Sequence, residues 1–469
     1  MLTFIFDKSG AVPLYEQLYR HLRHTITRGD IGAGEKLPSK RQLSTHLKIS
    51  QNTVTSAYDQ LVAEGYITAK PRSGFYAARL EKPLAPPALS VSPAPAPVVQ
   101  TSPQWRWDFT TNTVDATFFP FPTWARISRE VLSEKNDALL QAVDPQGYYP
   151  LRASICRYIG EYRGVHCTPE QMVIGAGSEV LLGLIVQLLG RSLTYGMENP
   201  HYNKVYNVLA SNGANTRLIA LDREGIRLDA IADSGAQIIH TTPSHQFPLG
   251  IVMPVKRRMA LLRWAASSPG RMIIEDDYDS EFRFSGRPIP ALQGLDQTGS
   301  VIYMNTFTRN LAPSMRISYM VLPPALIKKY REKLSFYSST VARFEQHTLH
   351  RFIAEGHFER HLNRMRKIYR TRRDTLLTAI RNAFPTNMVS VSGADAGLHV
   401  LLTVHTPRSE AQLVRLAKAA GIRVTGLSSF YAGDPLPPSD PVIVLGYAGL
   451  SPESLAPAII ALARAWAKP

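Results

Sequence analysis

The 469-residue sequence has few cysteines and no long apolar run. Cys156 and Cys167 lack a CxxC spacing and cannot supply the four ligands of a metal site, so we predict no metal centre and two reduced thiols. No stretch of about 18–20 consecutive apolar residues is present, which argues against a membrane span. The N-terminus has no basic segment before an apolar one, which argues against secretion. We therefore expect a cytoplasmic protein without a membrane partner.

Acidic residues are scarce relative to basic ones. The chain has 53 Lys and Arg against 37 Asp and Glu, a formal net charge of +16 at pH 7. Residues 1–79 hold eleven basic and six acidic side chains, so the density of net positive charge is higher there than in the rest of the chain. A basic balance attracts polyanions, which favours a nucleic-acid partner for this part of the chain.

Residues 80–104 differ in composition from the segments on either side. Seven of these 25 residues are proline, two are charged and none is aromatic. Such a stretch cannot form a packed core and favours extended, polyproline-like conformers. We predict a small domain over 1–79, a Pro/Ala-rich linker over 80–104 and a large domain over 105–469.

Apolar and capping residues predict three helices and a hairpin within the small domain. Apolar residues recur every four positions in the first helix: Leu14, Leu18, Leu22 and Ile26. Ser39 with Gln42 forms the capping box of a second helix, and Ser50 caps a third. Residues 66–68 and 74–76 then predict a two-stranded wing. These elements together form a winged helix-turn-helix, whose third helix enters the DNA major groove.

This arrangement identifies candidate DNA contacts. The third helix begins with side chains that can bind base edges or phosphates: Ser50, Gln51, Asn52, Thr53 and Thr55. The second helix and the wing add candidates for the DNA backbone: Ser39, Lys40, Arg41, Arg72 and Gly74. On periodicity alone, the alternative is a helical protein-interaction module with solvated polar faces.

Three motifs make the small domain more specific. They are GEKLPSKR (34–41), TVTSAY (53–58) and EGYI followed by RSGFY (64–67 and 72–76). The segment that contains them, nearly all of residues 11–79, resembles the GntR-type winged helix. The resemblance implies binding to a double-stranded DNA operator.

Residues 105–469 alternate β-like and α-like stretches, as in an α/β fold. Four apolar segments are strand candidates: Met172–Gly175, Gln237–His240, Met272–Glu275 and Val301–Asn305. Ligands bind at the carboxyl ends of such strands. Near these ends lie a glycine turn that enters a helix at 176–179, an acidic loop at 276–278, and Arg316. Taken singly, each also fits an ordinary turn, a solvated loop or a surface salt bridge.

Longer motifs connect these segments to a known family. They are DPQGYYPLR (144–152), ENPHY (198–202), TPSHQFPLG (242–250), IEDDYDSEFR (274–283) and TFTRNLAPSMRISYMVLPP (306–324). With the winged helix before it, the large domain resembles the fold-type I, class I/II aminotransferase-like domain of MocR-type regulators, a subfamily of GntR transcription regulators. The resemblance extends over most of 105–450. It implies an α/β fold, pyridoxal 5′-phosphate (PLP) as cofactor, and a homodimer, since fold-type I sites are normally built between two subunits.

The resemblance also implies roles for individual residues. Main-chain amides and a hydroxyl would form the phosphate cup at Gly177, Ser178 and Glu179. Arg316 would bind the phosphate, and Tyr202 would stack on the pyridine ring. Asp276 would keep the ring nitrogen protonated, which makes the ring an electron sink. Tyr278 would hydrogen-bond the ring hydroxyl.

One position departs from the family pattern. The residue after Phe-Thr, where the family places the lysine that carries PLP as a Schiff base, is Arg309. A guanidinium stays protonated at neutral pH and cannot form an ordinary imine. Three alternatives follow: a natural loss that leaves a sensor binding PLP non-covalently or as a preformed amine adduct, a substituted or erroneous residue, or an empty site.

A second departure concerns a substrate carboxylate. Aminotransferases usually bind it with an arginine near 442–447, where Val444 stands, while Lys204 offers a positive charge elsewhere. PLP or a PLP–amine adduct is therefore a more reasonable effector than an amino acid held by an arginine. The sequence predicts a DNA-binding transcription regulator whose aminotransferase-like domain senses such an effector and alters operator binding. The alternative is a PLP-dependent aminotransferase acting on an amino acid or amine, which Arg309 disfavours.

A basic run follows in the C-terminal part, where six cationic side chains fall within ten residues: Arg364, Arg366, Lys367, Arg370, Arg372 and Arg373. We expect a solvated helix face. Contact with DNA phosphates or with the small domain is the alternative.

Overall fold

The computed structural model describes residues 6–7, 12–80, 105–111, 113–133, 137–284, 289–433 and 440–467. It divides into two compact units, 1–102 and 103–469. Apart from Leu80, the predicted linker lies outside the described residues. Within the ranges given above, no helix is both long and apolar enough to cross a bilayer.

The small unit consists of three helices and a hairpin. They are α1 (Leu14–Arg28), α2 (Lys40–Leu47), α3 (Gln51–Ala63), β1 (Ile67–Lys70) and β2 (Gly74–Ala77), with β1 and β2 antiparallel. The predicted capping box of α2 is confirmed, because the Ser39 side chain accepts from the Gln42 amide while Gln42 Oε1 accepts from the Ser39 amide. The predicted cap of α3 is confirmed as well, since Ser50 Oγ accepts from the Thr53 amide at 3.1 Å.

Tyr58 connects α3 to the other elements of this unit. Its ring is fully buried and meets the Phe75 ring of β2 edge-on, with 4.9 Å between centroids. Its hydroxyl donates to the Pro38 carbonyl, just before α2, at 2.9 Å. One side chain of α3 therefore holds both the start of α2 and the wing.

The large unit alternates strands and helices, as predicted. Its helices are α4 (Phe121–Ser133), α5 (Tyr149–Arg163), α6 (Ser178–Leu189), α7 (Asn203–Ser211), α8 (Leu228–Ser234), α9 (Val255–Ala266), α10 (Pro324–Leu334), α11 (Arg343–Ala354), α12 (His357–Ala383), α13 (Glu410–Ala419) and α14 (Pro452–Ala467). Its strands are β3 (Trp107–Asp108), β4 (Met172–Gly175), β5 (Thr194–Asn199), β6 (Asn215–Asp222), β7 (Gly225–Ile226), β8 (Ile238–Thr241), β9 (Met272–Asp276), β10 (Val301–Thr306), β11 (Ser318–Val321), β12 (Val389–Ser392), β13 (His399–Val404), β14 (Ile422–Arg423), β15 (Thr425–Gly426) and β16 (Val442–Gly446). The four predicted strands are β4, β8, β9 and β10, and β8 is shifted by one residue from its predicted range.

An eight-stranded sheet forms the centre of this unit. Its order is β4-β11-β10-β9-β8-β5-β6-β7. Strands β10, β9, β8, β5 and β6 are mutually parallel, and β4 runs in the same direction because β11 is antiparallel to both β4 and β10. The carboxyl ends of β4, β5, β8, β9 and β10 therefore meet at one edge of the sheet.

Helices cover both faces of this sheet. Ile238 of β8 belongs to an apolar cluster that contains residues of α6, α7 and α10, whereas the next residue, Ile239, packs in a cluster with α9. This alternation follows from the two-residue repeat of a strand. A smaller antiparallel sheet of order β12-β13-β16-β15 packs with α12, α13 and α14 in a separate core.

The basic run lies on α12, and the expectation of a solvated face is wrong for part of it. Arg372 is only 2% exposed, and its Nη2 pairs with Asp115 Oδ2 at 2.5 Å. The side chains of Arg366, Arg370 and Arg373 donate to backbone carbonyls of residues 281, 284 and 394. The cluster of basic residues in the sequence did not predict that these arginines connect α12 to neighbouring loops.

Candidate effector pocket and nucleic-acid interface

A pocket of about 140 Å³ opens where the carboxyl ends of the parallel strands meet. The structure brings nearly all of the predicted cofactor residues to its lining: Ser178, Glu179, Tyr202, Asp276, Tyr278, Arg309 and Arg316. Gly177, the remaining one, is the N-cap of α6 and directly precedes Ser178. Residues far apart in sequence therefore converge because the sheet aligns the strands that carry them.

The predicted phosphate cup lies at the N-terminus of α6. Gly177 adopts φ 98°, and a Cβ there would overlap the Arg316 guanidinium, so the position requires glycine. Arg316 Nη2 contacts Glu179 Oε2 at 2.5 Å, and Lys204 Nζ pairs with the other Glu179 oxygen. Burial alone would raise the pKa of Glu179, but Lys204 and Arg316 lower it below its ordinary value. The cup thus contains two cations and one carboxylate.

Polar groups also surround the predicted position of the pyridine ring. Asp276, at the end of β9, is half-buried, and its Oδ2 lies 3.4 Å from His240 Nε2. The Tyr278 hydroxyl lies 3.0 Å from His245 Nδ1, and burial raises the pKa of Tyr278 well above its ordinary value. The ring of Tyr202 meets the ring of Phe247, another lining residue, edge-on with 5.5 Å between centroids.

Arg309 lines the same pocket as Asp276 and Tyr278. Its Nη1 donates to the Thr111 carbonyl at 2.6 Å, and its Cζ lies 5.8 Å from the centre of the Tyr278 ring. Lys204 is the only lysine among the described residues that line the pocket, and it lies at the predicted phosphate cup. Lys328 and Lys329 lie on α10 and do not line the pocket.

Directly beneath the pocket, a buried ion pair supports the end of β9. Arg163 Nε contacts Asp277 Oδ2 at 2.8 Å, and both side chains are at most 3% exposed. Tyr303 and Ser280 donate hydroxyl hydrogens to the same carboxylate oxygen at 2.7 and 2.9 Å. Burial alone would raise the pKa of Asp277, but the neighbouring Arg163 lowers it. Asp277 is therefore a supporting residue, whereas Asp276 faces the pocket.

Sequence reasoning missed several lining residues: Glu198, His201, His240, Thr242 and Phe247. Glu198, at the end of β5, is buried and accepts from the hydroxyls of Thr241 and Thr242 at 2.5 and 2.8 Å. Burial raises the pKa of Glu198 despite these hydrogen bonds. An acidic residue near the end of an apolar strand was an available signal. Val444 is buried in β16 and does not line the pocket.

The polar residues at the two ends of the pocket fit the phosphate and the ring nitrogen of PLP. Gly177, which has no side chain, lets the Arg316 guanidinium lie against the start of α6. The buried His240 Nε2 lies 3.4 Å from Asp276 Oδ2 and makes no hydrogen bond within the described residues. The guanidinium of Arg309, which the sequence motif predicts at the place of the family lysine, cannot form an ordinary imine.

The candidate nucleic-acid interface lies on the small unit. Several predicted DNA contacts are exposed polar side chains at the starts of α2 and α3 and in the wing: Ser39, Arg41, Ser50, Gln51, Asn52 and Arg72. Thr53, Thr55 and Lys40 are half-buried, and Lys40 Nζ pairs with Asp59 at 2.9 Å. Ser39 and Gly74 line one groove together with Lys36 and His46, which sequence reasoning did not single out.

The two units correspond to two known families. The family described as bacterial regulatory proteins, gntR family, matches residues 14–77, and aminotransferase class I and II matches residues 106–462. The aminotransferase class I and II fold is normally PLP-dependent.

Three known proteins illustrate the similarity. The chain is 40% identical to the uncharacterized HTH-type transcriptional regulator YdeL of Bacillus subtilis, over 99% of each chain. It is 33% identical to the probable rhizopine catabolism regulatory protein MocR of Rhizobium meliloti, over 98% of this chain and 95% of MocR. A crystal structure of LysN, an α-aminoadipate aminotransferase of Thermus thermophilus in complex with N-(5′-phosphopyridoxyl)-L-leucine, matches with TM-score 0.65 and 26% identity, over 76% of this chain and 91% of LysN.

Fold, site and similarity together define a DNA-binding transcription regulator with an aminotransferase-like domain. The chain belongs to the aminotransferase class I and II family and, through its winged helix, to the MocR-type regulators of the gntR family.

Proposed function

We propose that the pocket of this regulator binds PLP, or an adduct of PLP with an amine, reversibly and without a covalent bond to the chain, and that occupancy changes operator affinity. The observation that carries the proposal is the pocket itself, whose lining brings Arg316 and Lys204 beside the N-terminus of α6 and also contains Asp276 and Arg309. Arg309 is the residue that the sequence motif predicts at the place of the family lysine. LysN binds a phosphopyridoxyl amino acid in the same fold.

Each lining residue would act by binding or orientation. The α6 amides and Arg316 would hold the phosphate, because a helix N-terminus and a guanidinium both attract anions. Asp276 would hold a proton on the ring nitrogen, and Tyr278 would hydrogen-bond the ring hydroxyl. When bound, PLP supplies an electron-withdrawing ring. Arg309 would contact the bound ligand as a fixed cation.

We further propose a cytoplasmic homodimer that binds a double-stranded operator. Fold-type I pockets are normally completed by a second subunit, so dimerisation would bring two winged helices to one operator. An effector alters DNA binding only if it binds two arrangements of the dimer with different affinity.

The proposal is tested by titrating the full-length protein with PLP. We expect a saturable change in PLP absorbance, a change in operator affinity measured by fluorescence anisotropy, and a change in hydrodynamic radius. A saturable PLP signal with unchanged operator affinity and radius would refute the sensing role. The absence of any PLP signal would refute the ligand.

The role of Arg309 is tested by Arg309→Lys. We expect borohydride to attach PLP covalently to this variant but not to the wild type, because only an amine forms a reducible imine. Arg129→Lys, at an exposed position of α4, is the matched control and should behave as wild type. Covalent trapping by the wild type, or its exchange of amino groups with an amino acid, would instead support the aminotransferase alternative.

A further inference from the structure

The phosphate cup already contains an anion that belongs to the protein. Glu179 lies in the first turn of α6, and its two carboxylate oxygens pair with Arg316 and Lys204, one oxygen to each cation. All three side chains line the pocket. The cationic groups that would bind an incoming phosphate are therefore engaged by a carboxylate.

Charge counting shows what this arrangement favours. Arg316 and Lys204 carry two positive charges, and the ionised Glu179 leaves a net charge of about +1 on the three side chains. A phosphate monoester carries about −1.5 to −2 at pH 7. Its arrival would leave the cup with net negative charge and would place two anions within contact distance of each other, which is unfavourable where water is partly excluded. Without the Glu179 charge, the same phosphate would meet two unengaged cations.

We propose that the carboxylate of Glu179 competes with the ligand phosphate for Arg316 and Lys204. It must leave both cations before a phosphorylated effector binds. Glu179 thereby determines how much more strongly the pocket binds phosphorylated ligands than unphosphorylated ones. The inference rests on the proposed function and deepens it. A pocket that lacks the covalent lysine and contains a competing carboxylate releases its ligand readily, as a sensor requires.

The environment of the three side chains makes the proposal testable by substitution. Arg316 and Lys204 are 43% and 50% exposed, so loss of the Glu179 charge leaves two solvated cations rather than buried unpaired ones. Glu179→Gln keeps the shape of the side chain and should fold. Glu161→Gln, at an exposed position of α5, is the matched control.

The experiment compares dissociation constants by isothermal titration calorimetry at constant ionic strength. The ligands are PLP, pyridoxine 5′-phosphate, and pyridoxine as the phosphate-free probe. In Glu179→Gln we expect both phosphorylated ligands to bind at least about tenfold more tightly than in wild type, and pyridoxine to change less than about twofold. Glu161→Gln should leave all three constants unchanged. Equal or weaker binding of the phosphorylated ligands by Glu179→Gln, or an equal gain for pyridoxine, would overturn the proposal.

A second measurement separates this inference from the proposed function. Inorganic phosphate should raise the melting temperature of Glu179→Gln more than that of wild type. If PLP binds neither protein but this difference is present, the proposed ligand is wrong and the competition by Glu179 stands. If PLP binds both proteins equally and phosphate stabilises both equally, the ligand stands and the competition is wrong.

Discussion

The two units of this regulator are specified by contacts of very different range. In the small unit, the starts of α2 and α3 are set by serines that cap amides three residues away. In the large unit, the pocket depends on contacts such as Glu179 to Arg316, which are 137 residues apart. Local signals thus set where these two helices of the small unit begin, whereas the pocket exists only once the sheet has formed. We therefore expect single substitutions to cost more beneath the pocket than at the caps.

The largest effect is expected for Arg163→Met. The substitution leaves the carboxylate of Asp277 buried without its cation, which should lower the free energy of unfolding by about 3–5 kcal/mol. Thermal unfolding of the full chain measures the change. Arg157→Met, at an exposed position of the same helix, should change it by less than about 0.5 kcal/mol. Similar losses of stability in both variants would show that α5 tolerates substitution poorly at any position. The loss in Arg163→Met could then not be assigned to the buried ion pair.

The same ion pair predicts a dependence on pH. Because the pKa of Asp277 in the folded protein lies below its ordinary value, its contribution to stability is complete above that ordinary value and is lost as the pH falls through the lowered pKa. Arg163→Met should therefore move the midpoint of acid unfolding to a higher pH. An unchanged midpoint in the variant would show that Arg163 is not what stabilises the ionised carboxylate.

A smaller effect is expected at the DNA interface. If Asn52 contacts a base edge as proposed, Asn52→Ala should weaken binding to a duplex selected from random sequences by about 1–3 kcal/mol, with little change for unrelated DNA. Arg72→Ala should weaken binding to the selected duplex and to unrelated DNA equally. It should also reduce the slope of log K against log salt concentration by about 1, because one phosphate contact would be lost. Arg20→Ala, at an exposed position of α1, is the control. Fluorescence anisotropy measures all three. Equal losses on both duplexes for Asn52→Ala would assign it to the backbone instead.

The smallest effect is expected at a helix cap. Ser50→Ala should destabilise α3 by about 1 kcal/mol, because the Thr53 amide loses its acceptor. Amide hydrogen exchange of α3 in the full chain measures the change. Ser56→Ala, at an exposed position inside α3, should be close to neutral. A loss at Ser50 as large as that at Arg163 would contradict the distinction between the two units.

The sequence predicted the parts of this molecule that depend on local chemistry or on position within a family motif. Capping residues predicted α2 and α3, and apolar runs predicted β4, β9 and β10 within a residue at each end. It did not predict the engagement of Lys40 by Asp59 or the burial of Arg372, because each depends on a partner from a distant element. The pairing of Glu179 with Lys204 was missed for the same reason.

Tyr58, which holds both the start of α2 and the wing, has a consequence for regulation. In α3, the predicted recognition helix, this one buried side chain contacts the start of α2 and the wing, so a movement of α3 would be coupled to both. An effector signal would then alter how often the operator is occupied without altering which base pairs are preferred. Regulation by this protein would change how often its operator sites are occupied, while the set of operator sites stays the same.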